Sequence, residues 1–175
     1  LTLGVPMGGE LARDDDARYY RVVVPEGDDL KIDLDGPEGA VTELYVRFGA
    51  VPSRQSFDAR GVRSNQADQS VSIAGTRGGD NTYILVYGAD VPTPGTFTLT
   101  AGLAGFCVDR VSPTSGARGL QVTLSIYGAQ YVPDSQPRLV EYGGTTLEPM
   151  AVAFVDSGLL VATFDLTAAA LGPAE

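Results

Sequence analysis

The sequence has no histidine and no tryptophan, a single cysteine, Cys107, and a single lysine, Lys31. Histidine is the usual general base, proton shuttle and zinc ligand near neutral pH. Without it, Ser-His-Asp and Cys-His arrangements cannot exist, nor can zinc sites of the common His-containing kinds. One cysteine cannot close a disulfide within the chain or build a multi-thiolate metal site. Without tryptophan, any aromatic platform must come from the eight tyrosines and six phenylalanines. No run approaches the roughly 18 apolar residues that a membrane helix needs. The opening LTLGVPMGGEL has no signal-peptide pattern and reads like the interior of a longer protein. Positive charge is scarce as well. Twelve Lys and Arg face 22 Asp and Glu, a formal charge of −10, which disfavours nucleic acid and anionic membrane surfaces as partners.

What is present is a globular composition, 43% hydrophobic over 175 residues, enough for one medium domain or two small ones. Short runs rich in β-branched and aromatic residues alternate with Gly, Pro, Asp and Asn. Tyr19–Val24 ends at the turn composition Pro25-Glu26-Gly27-Asp28-Asp29. Leu30–Leu34 (LKIDL) and Gly95–Ala101 (GTFTLTA) alternate apolar and polar residues, as one face of a sheet requires. Glu43–Phe48, Gln69–Ile73 and Thr82–Tyr87 are further predicted strands. After Leu103-Ala104-Gly105 the rhythm restarts, with predicted strands at Val108–Val111, Gln121–Tyr127, Arg138–Tyr142, Ala151–Val155 and Leu159–Phe164. The helix-friendly run Leu166–Leu171 is too short to be stable alone. The expected fold is all-β: two tandem sandwiches, residues 1–104 and 105–175.

The longest stretch without a predicted strand, Gly49–Asp68, carries Arg54, Arg60 and Arg63, with Arg47 before it and Arg77 after. These five arginines are candidate ligand-binding residues for an acidic glycan or a partner domain. The competing reading is salt bridges that hold loops to an acidic module. Asp14, Asp15 and Asp16 are candidate oxygen ligands for calcium, but no EF-hand spacing is present and turns favour Asp in any case. A close carboxylate pair for glycoside hydrolysis is expected by chance among 22 acids, and a Ser-Lys dyad would have to use Lys31, beside Asp33. Tyr45, Tyr83 and Tyr87 fall on alternating strand positions and read as packing. Cys107 reads as a small hydrophobe at the junction. No catalytic residue and no cofactor is expected.

The first half resembles the bacterial pre-peptidase C-terminal domain. The likeness is carried by Asp16-Ala17-Arg18-Tyr19-Tyr20-Arg21-Val22-Val23-Val24-Pro25-Glu26-Gly27, by Thr42-Glu43-Leu44-Tyr45-Val46-Arg47-Phe48-Gly49, and by Asn81–Gly88 followed by Gly95-Thr96-Phe97-Thr98-Leu99. The acidic Glu-Pro-Asn linker that binds calcium in the family's collagen-binding members has no counterpart. The second half is similar to IPT/TIG domains, which are immunoglobulin-like. Here the residues are Val108-Asp109-Arg110-Val111-Ser112-Pro113-Thr114-Ser115-Gly116, then Val122–Tyr131, Val140–Gly144 and Leu160–Leu166. That family adds a closing strand where this sequence stops, so the second module is expected to be truncated. It would have an open edge available for pairing with another strand. Both resemblances imply a non-catalytic accessory or adhesion-type region of a larger secreted or cell-surface bacterial protein. Its expected partners are neighbouring domains and, at the surface, polysaccharide or protein.

Overall fold

The structure is a computed structural model that describes residues 1–61, 63–75, 81–141 and 143–169. It is nearly all β, with antiparallel sheets throughout. Among the described residues no helix is long and apolar enough to cross a membrane. The chain divides into two compact units, Leu1–Gly105 and Phe106–Glu175.

The first unit contains β1 (Met7–Leu11), β2 (Ala17–Val22), β3 (Leu30–Asp35), β4 (Val41–Phe48), β5 (Ala59–Arg60), β6 (Gln69–Ile73), β7 (Thr82–Asp90) and β8 (Gly95–Leu103). They form two four-stranded sheets, in the orders β1-β8-β3-β6 and β2-β7-β4-β5. Alternation explains the packing. Leu30, Ile32 and Leu34 of β3 and Phe97, Leu99 and Ala101 of β8 face inward from one sheet. Leu44 and Val46 of β4 and Ile84 and Val86 of β7 face them from the other. These residues are almost wholly buried in one shared core, so the unit is a sandwich. Burying a side chain of this size stabilises the fold by roughly 1.5–3 kcal/mol.

β1 is a strand that the sequence reading missed. Its Gly8-Gly9 gives no apolar alternation, and the reason lies across the sheet. A Cβ on Gly9 would fall 2.3 Å from Cζ of Phe97, so the Phe97 ring occupies the space where a side chain would stand. β5 lies within the stretch expected to hold no strand. It is two residues long and pairs Arg60 with Tyr45.

The loop between β5 and β6 is tied down by Gln69, which is buried. Its amide donates to the carbonyls of Thr42 (3.1 Å), Arg63 (2.7 Å) and Gln66 (3.1 Å). Asp29, also buried, accepts the Gly75 N–H at 2.9 Å, and its carbonyl accepts the Ala104 N–H at 2.8 Å.

The second unit contains β9 (Cys107–Ser112), β10 (Gln121–Ala129), β11 (Leu139–Val140), β12 (Thr146–Leu147), β13 (Ala151–Asp156) and β14 (Leu159–Asp165). Four of them form a sheet in the order β13-β14-β10-β9, and β11 and β12 make a separate ribbon. The predicted strand Arg138–Tyr142 is thus only two residues long, and Tyr142 lies outside the described residues. The run Leu166–Leu171 is a turn as far as Ala169, where the described residues end. The core is small: Leu124, Ile126, Tyr131, Leu160, Ala162 and Phe164 are buried. Leu139 of the ribbon, Leu147 and Val152 are half-buried against them.

Candidate functional site

In β2, β7 and β4 the residues that alternate with the core project from the other side of the sheet. Strand register arranges them in three rows. Ala17 pairs with Tyr87, and Tyr87 with Glu43. Tyr19 pairs with Leu85, Leu85 with Tyr45, and Tyr45 with Arg60. Arg21 pairs with Tyr83, and Tyr83 with Arg47. This face therefore carries Arg47 and Arg60 of the five candidate arginines, together with four tyrosines, Arg21 and one acid, Glu43.

Leu85 and Tyr45 are 2% and 6% exposed although they point away from the core. The segment between β4 and β5 packs on Tyr45. Ser53 and Ser56 close it by a bridge, and Phe57 packs on Tyr45 with ring centroids 5.0 Å apart. The Arg60 guanidinium lies 5.9 Å from the Phe57 ring centre.

Arg54, from the same segment, grips Glu43 at both ends, with Nε 2.7 Å from Oε2 and Nη2 2.8 Å from Oε1. Its guanidinium also lies 4.5 Å above the Tyr87 ring. The Tyr45 hydroxyl donates to Glu43 Oε2 at 2.8 Å, and the Tyr87 hydroxyl donates to Asp15. Burial pushes the Glu43 carboxyl up, but the bonds from Arg54 and Tyr45 prevail and hold it below its ordinary value. The same contacts raise Arg54. Burial and Glu43 raise Tyr45, and Asp15 raises Tyr87.

The loop-holding reading of the arginines therefore fits Arg54 and not the others on the face. Arg47 and Arg21 flank Tyr83, and neither side chain has an ion pair or hydrogen bond among the described residues. Arg63 sits in the loop after β5, where only its carbonyl is engaged, by Gln69. Arg77 lies outside the described residues. Arg21 was not a candidate from sequence. It alternates with Tyr19 in YYRVVV, but only the pairing of β2 with β7 brings it beside Tyr83.

The three candidate calcium ligands hold separate partners. Asp14 accepts the Val91 N–H at 2.6 Å and Asp15 the Tyr87 hydroxyl. Asp16 accepts the Ala12 N–H at 2.7 Å and lies 3.4 Å from Arg18 and 3.6 Å from Arg13. The Ala12 bond is the main cause of a lowered Asp16 carboxyl. Among the described residues, no group of three or more acidic or cysteine side chains could hold a metal. Lys31 lies 3.7 Å from Asp33, which accepts the Ser70 hydroxyl at 2.7 Å, so that serine is hydrogen-bonded to the aspartate. Cys107 is half-buried, with Sγ 3.5 Å from Asp109 Oδ1. A pocket lined by Val24, Leu30 and Phe48 has room for little more than a water molecule.

Residues 16–88, inside the first unit, match the family model of the bacterial pre-peptidase C-terminal domain. Over 79 residues the chain is 32% identical to the alkaline serine exoprotease A of Vibrio alginolyticus, a match covering 45% of this chain and 14% of the exoprotease. The chain thus spans a small fraction of that relative. Among solved structures, the pre-peptidase C-terminal domain of a Bacillus anthracis collagenase is similar at 19% identity and a TM-score of 0.47. That match covers 58% of this chain and 90% of that one. The Aeromonas hydrophila protein PliG, a periplasmic inhibitor of g-type lysozyme, is similar at 15% identity and a TM-score of 0.45, covering 59% and 96%.

Proposed function

We propose that the chain is a non-catalytic accessory region of a larger secreted or cell-surface bacterial protein, and that its first unit targets or presents neighbouring domains through the arginine–tyrosine face. The match of residues 16–88 to a non-catalytic domain carries this reading. The chemistry of the face agrees with it. Guanidinium groups and phenols bind and orient, while the carboxylates near them, Glu43 and Asp15, are already engaged.

We assign the second unit to the immunoglobulin-like IPT/TIG class, as a spacer. Its support is strand order. In an immunoglobulin sandwich the sheet A-B-E-D is formed by the first, second, fifth and fourth strands of the simplest chain order, with C in the opposing sheet. The order β9-β10-β14-β13 agrees with that sheet when the two-residue strands β11 and β12, which pair only with each other, are counted together as the C element. Phe154 of β13 pairs with the buried Leu160 yet is 37% exposed.

The test is a fusion of the full chain to a soluble peptidase. Turnover of a small soluble peptide should be unchanged, and the fusion should be retained on bacterial surface material. Hydrolysis by the chain alone, or loss of retention on every surface tried, would refute the reading.

A further inference from the structure

We infer that the row Arg21–Tyr83–Arg47, with Tyr19 beside it, is a docking strip for an anionic polysaccharide whose repeating units carry carboxylates. This rests on reading the chain as a targeting accessory and names the class of surface it targets.

The first observation is spacing. Neighbouring strands lie about 4.8 Å apart, so Arg21 and Arg47 start roughly 10 Å from each other with Tyr83 between them. The second is availability. Arg13 and Arg18 approach Asp16, Arg54 holds Glu43, and Arg60 lies near Phe57. Arg21 and Arg47 have no such partner among the described residues, although acids outnumber cations 22 to 12. The one acid in these rows, Glu43, is held by Arg54. Asp33 and Asp35, with Lys31, occupy the outward positions of β3, in the opposite sheet, where Leu30, Ile32 and Leu34 point inward.

The third observation is the shape and chemistry of the face. A flat sheet surface suits an extended chain better than an enclosed small molecule. Each guanidinium offers a planar fork that matches a carboxylate with two parallel hydrogen bonds. Between the two forks, Tyr83 is half-buried, and Tyr19 is 56% exposed. Such rings offer an apolar face to the C–H face of a sugar and a hydroxyl at the rim. An extended acidic peptide fits less well, because its same-side groups repeat about every 6.8 Å and carry no apolar surface for the tyrosines.

Polygalacturonate is the probe, titrated calorimetrically into the full 175-residue chain. Binding should weaken as salt is raised. Arg21→Ala with Arg47→Ala should lower affinity about tenfold or more, while Arg63→Ala should leave it unchanged. Tyr19→Ser should lower affinity by a few fold without changing its salt dependence. Neutral dextran should not bind. The strip is refuted if the double variant binds like the parent, if polyglutamate or duplex DNA binds as tightly as polygalacturonate, or if the parent does not bind at all. Retention of the peptidase fusion by the double variant would then show targeting by another route, so the two readings fail separately.

Discussion

Arg54 holds Glu43 by a two-point contact, Nε to Oε2 at 2.7 Å and Nη2 to Oε1 at 2.8 Å, and so ties a loop to the outer face of β4. The loop brings Phe57 with it, and Phe57 packs on Tyr45 with ring centroids 5.0 Å apart. The ion pair is partly exposed, with 44% of the Arg54 and 27% of the Glu43 side chain accessible. Its own contribution is therefore that of a surface ion pair, small and screened by salt.

Arg54→Ala should lower global stability only slightly and, more visibly, speed hydrogen exchange across residues 51–58. Arg54→Lys should recover little of the protection, because an ammonium cannot make the two-point contact. Unchanged exchange in Arg54→Ala would mean that Phe57 packing alone holds the loop.

Acidification should act on the same pair. The folded state holds Glu43 below its ordinary 4.5, so its charged form contributes stability that is complete above that pH. The contribution is lost as pH falls through the lower folded value. Asp16 shifts in the same direction. Melting temperature should therefore fall on acidification below about pH 4.5. The fall should be shallower in Glu43→Gln, which starts from a lower plateau. Parallel curves for the two proteins would contradict this.

Gln69→Leu should cost about 1–3 kcal/mol, because the Thr42 and Arg63 carbonyls lose the amide donor, while the Gln66 carbonyl keeps the Thr42 N–H. Urea denaturation gives the loss. Limited proteolysis should show new cleavage between Gly61 and Asp68.

Asp29→Ala should destabilise the first unit by a similar amount, since it leaves the Gly75 N–H without its carboxylate. Gly75→Ala should be worse. The added Cβ would lie 1.5 Å from the Asp28 carbonyl oxygen, and backbone would have to move. Thermal unfolding should rank the two in that order.

Phe164→Ala should remove about 3–5 kcal/mol from the second unit, whose buried cluster is small and has Phe164 as its largest apolar member. Amides of β10 and β14 should lose protection at once. Slow exchange in both strands would show that the cluster is not what holds them.

Strands whose residues alternate cleanly were legible in the sequence. LKIDL and GTFTLTA lie within β3 and β8, because each has one face in the core and one in water. What could not be read depended on distant partners. Met7–Leu11 gives no pattern because Phe97 supplies the bulk that its Gly9 lacks. Tyr45 reads as half-buried by alternation but is covered from outside by Phe57, which is twelve residues later. The arginines were legible as a group only by nearness in sequence. Register separates them into Arg54, which is paired, and Arg47, which is not, and it adds Arg21.

The two outer surfaces of the first unit differ in their balance of charge: Arg21 and Arg47 outnumber Glu43 beyond β2, β7 and β4, and Asp33 and Asp35 outnumber Lys31 along β3. The sandwich core between them is about 10 Å thick. Such a body has an electric dipole across its thickness. Near an anionic surface it experiences a torque from about one Debye length, roughly 8 Å at physiological salt. Although the whole chain carries a formal charge of −10, the unit would turn before it touches and arrive arginine side first. The orientation of whatever the unit carries would then be set during approach, before any hydrogen bond forms.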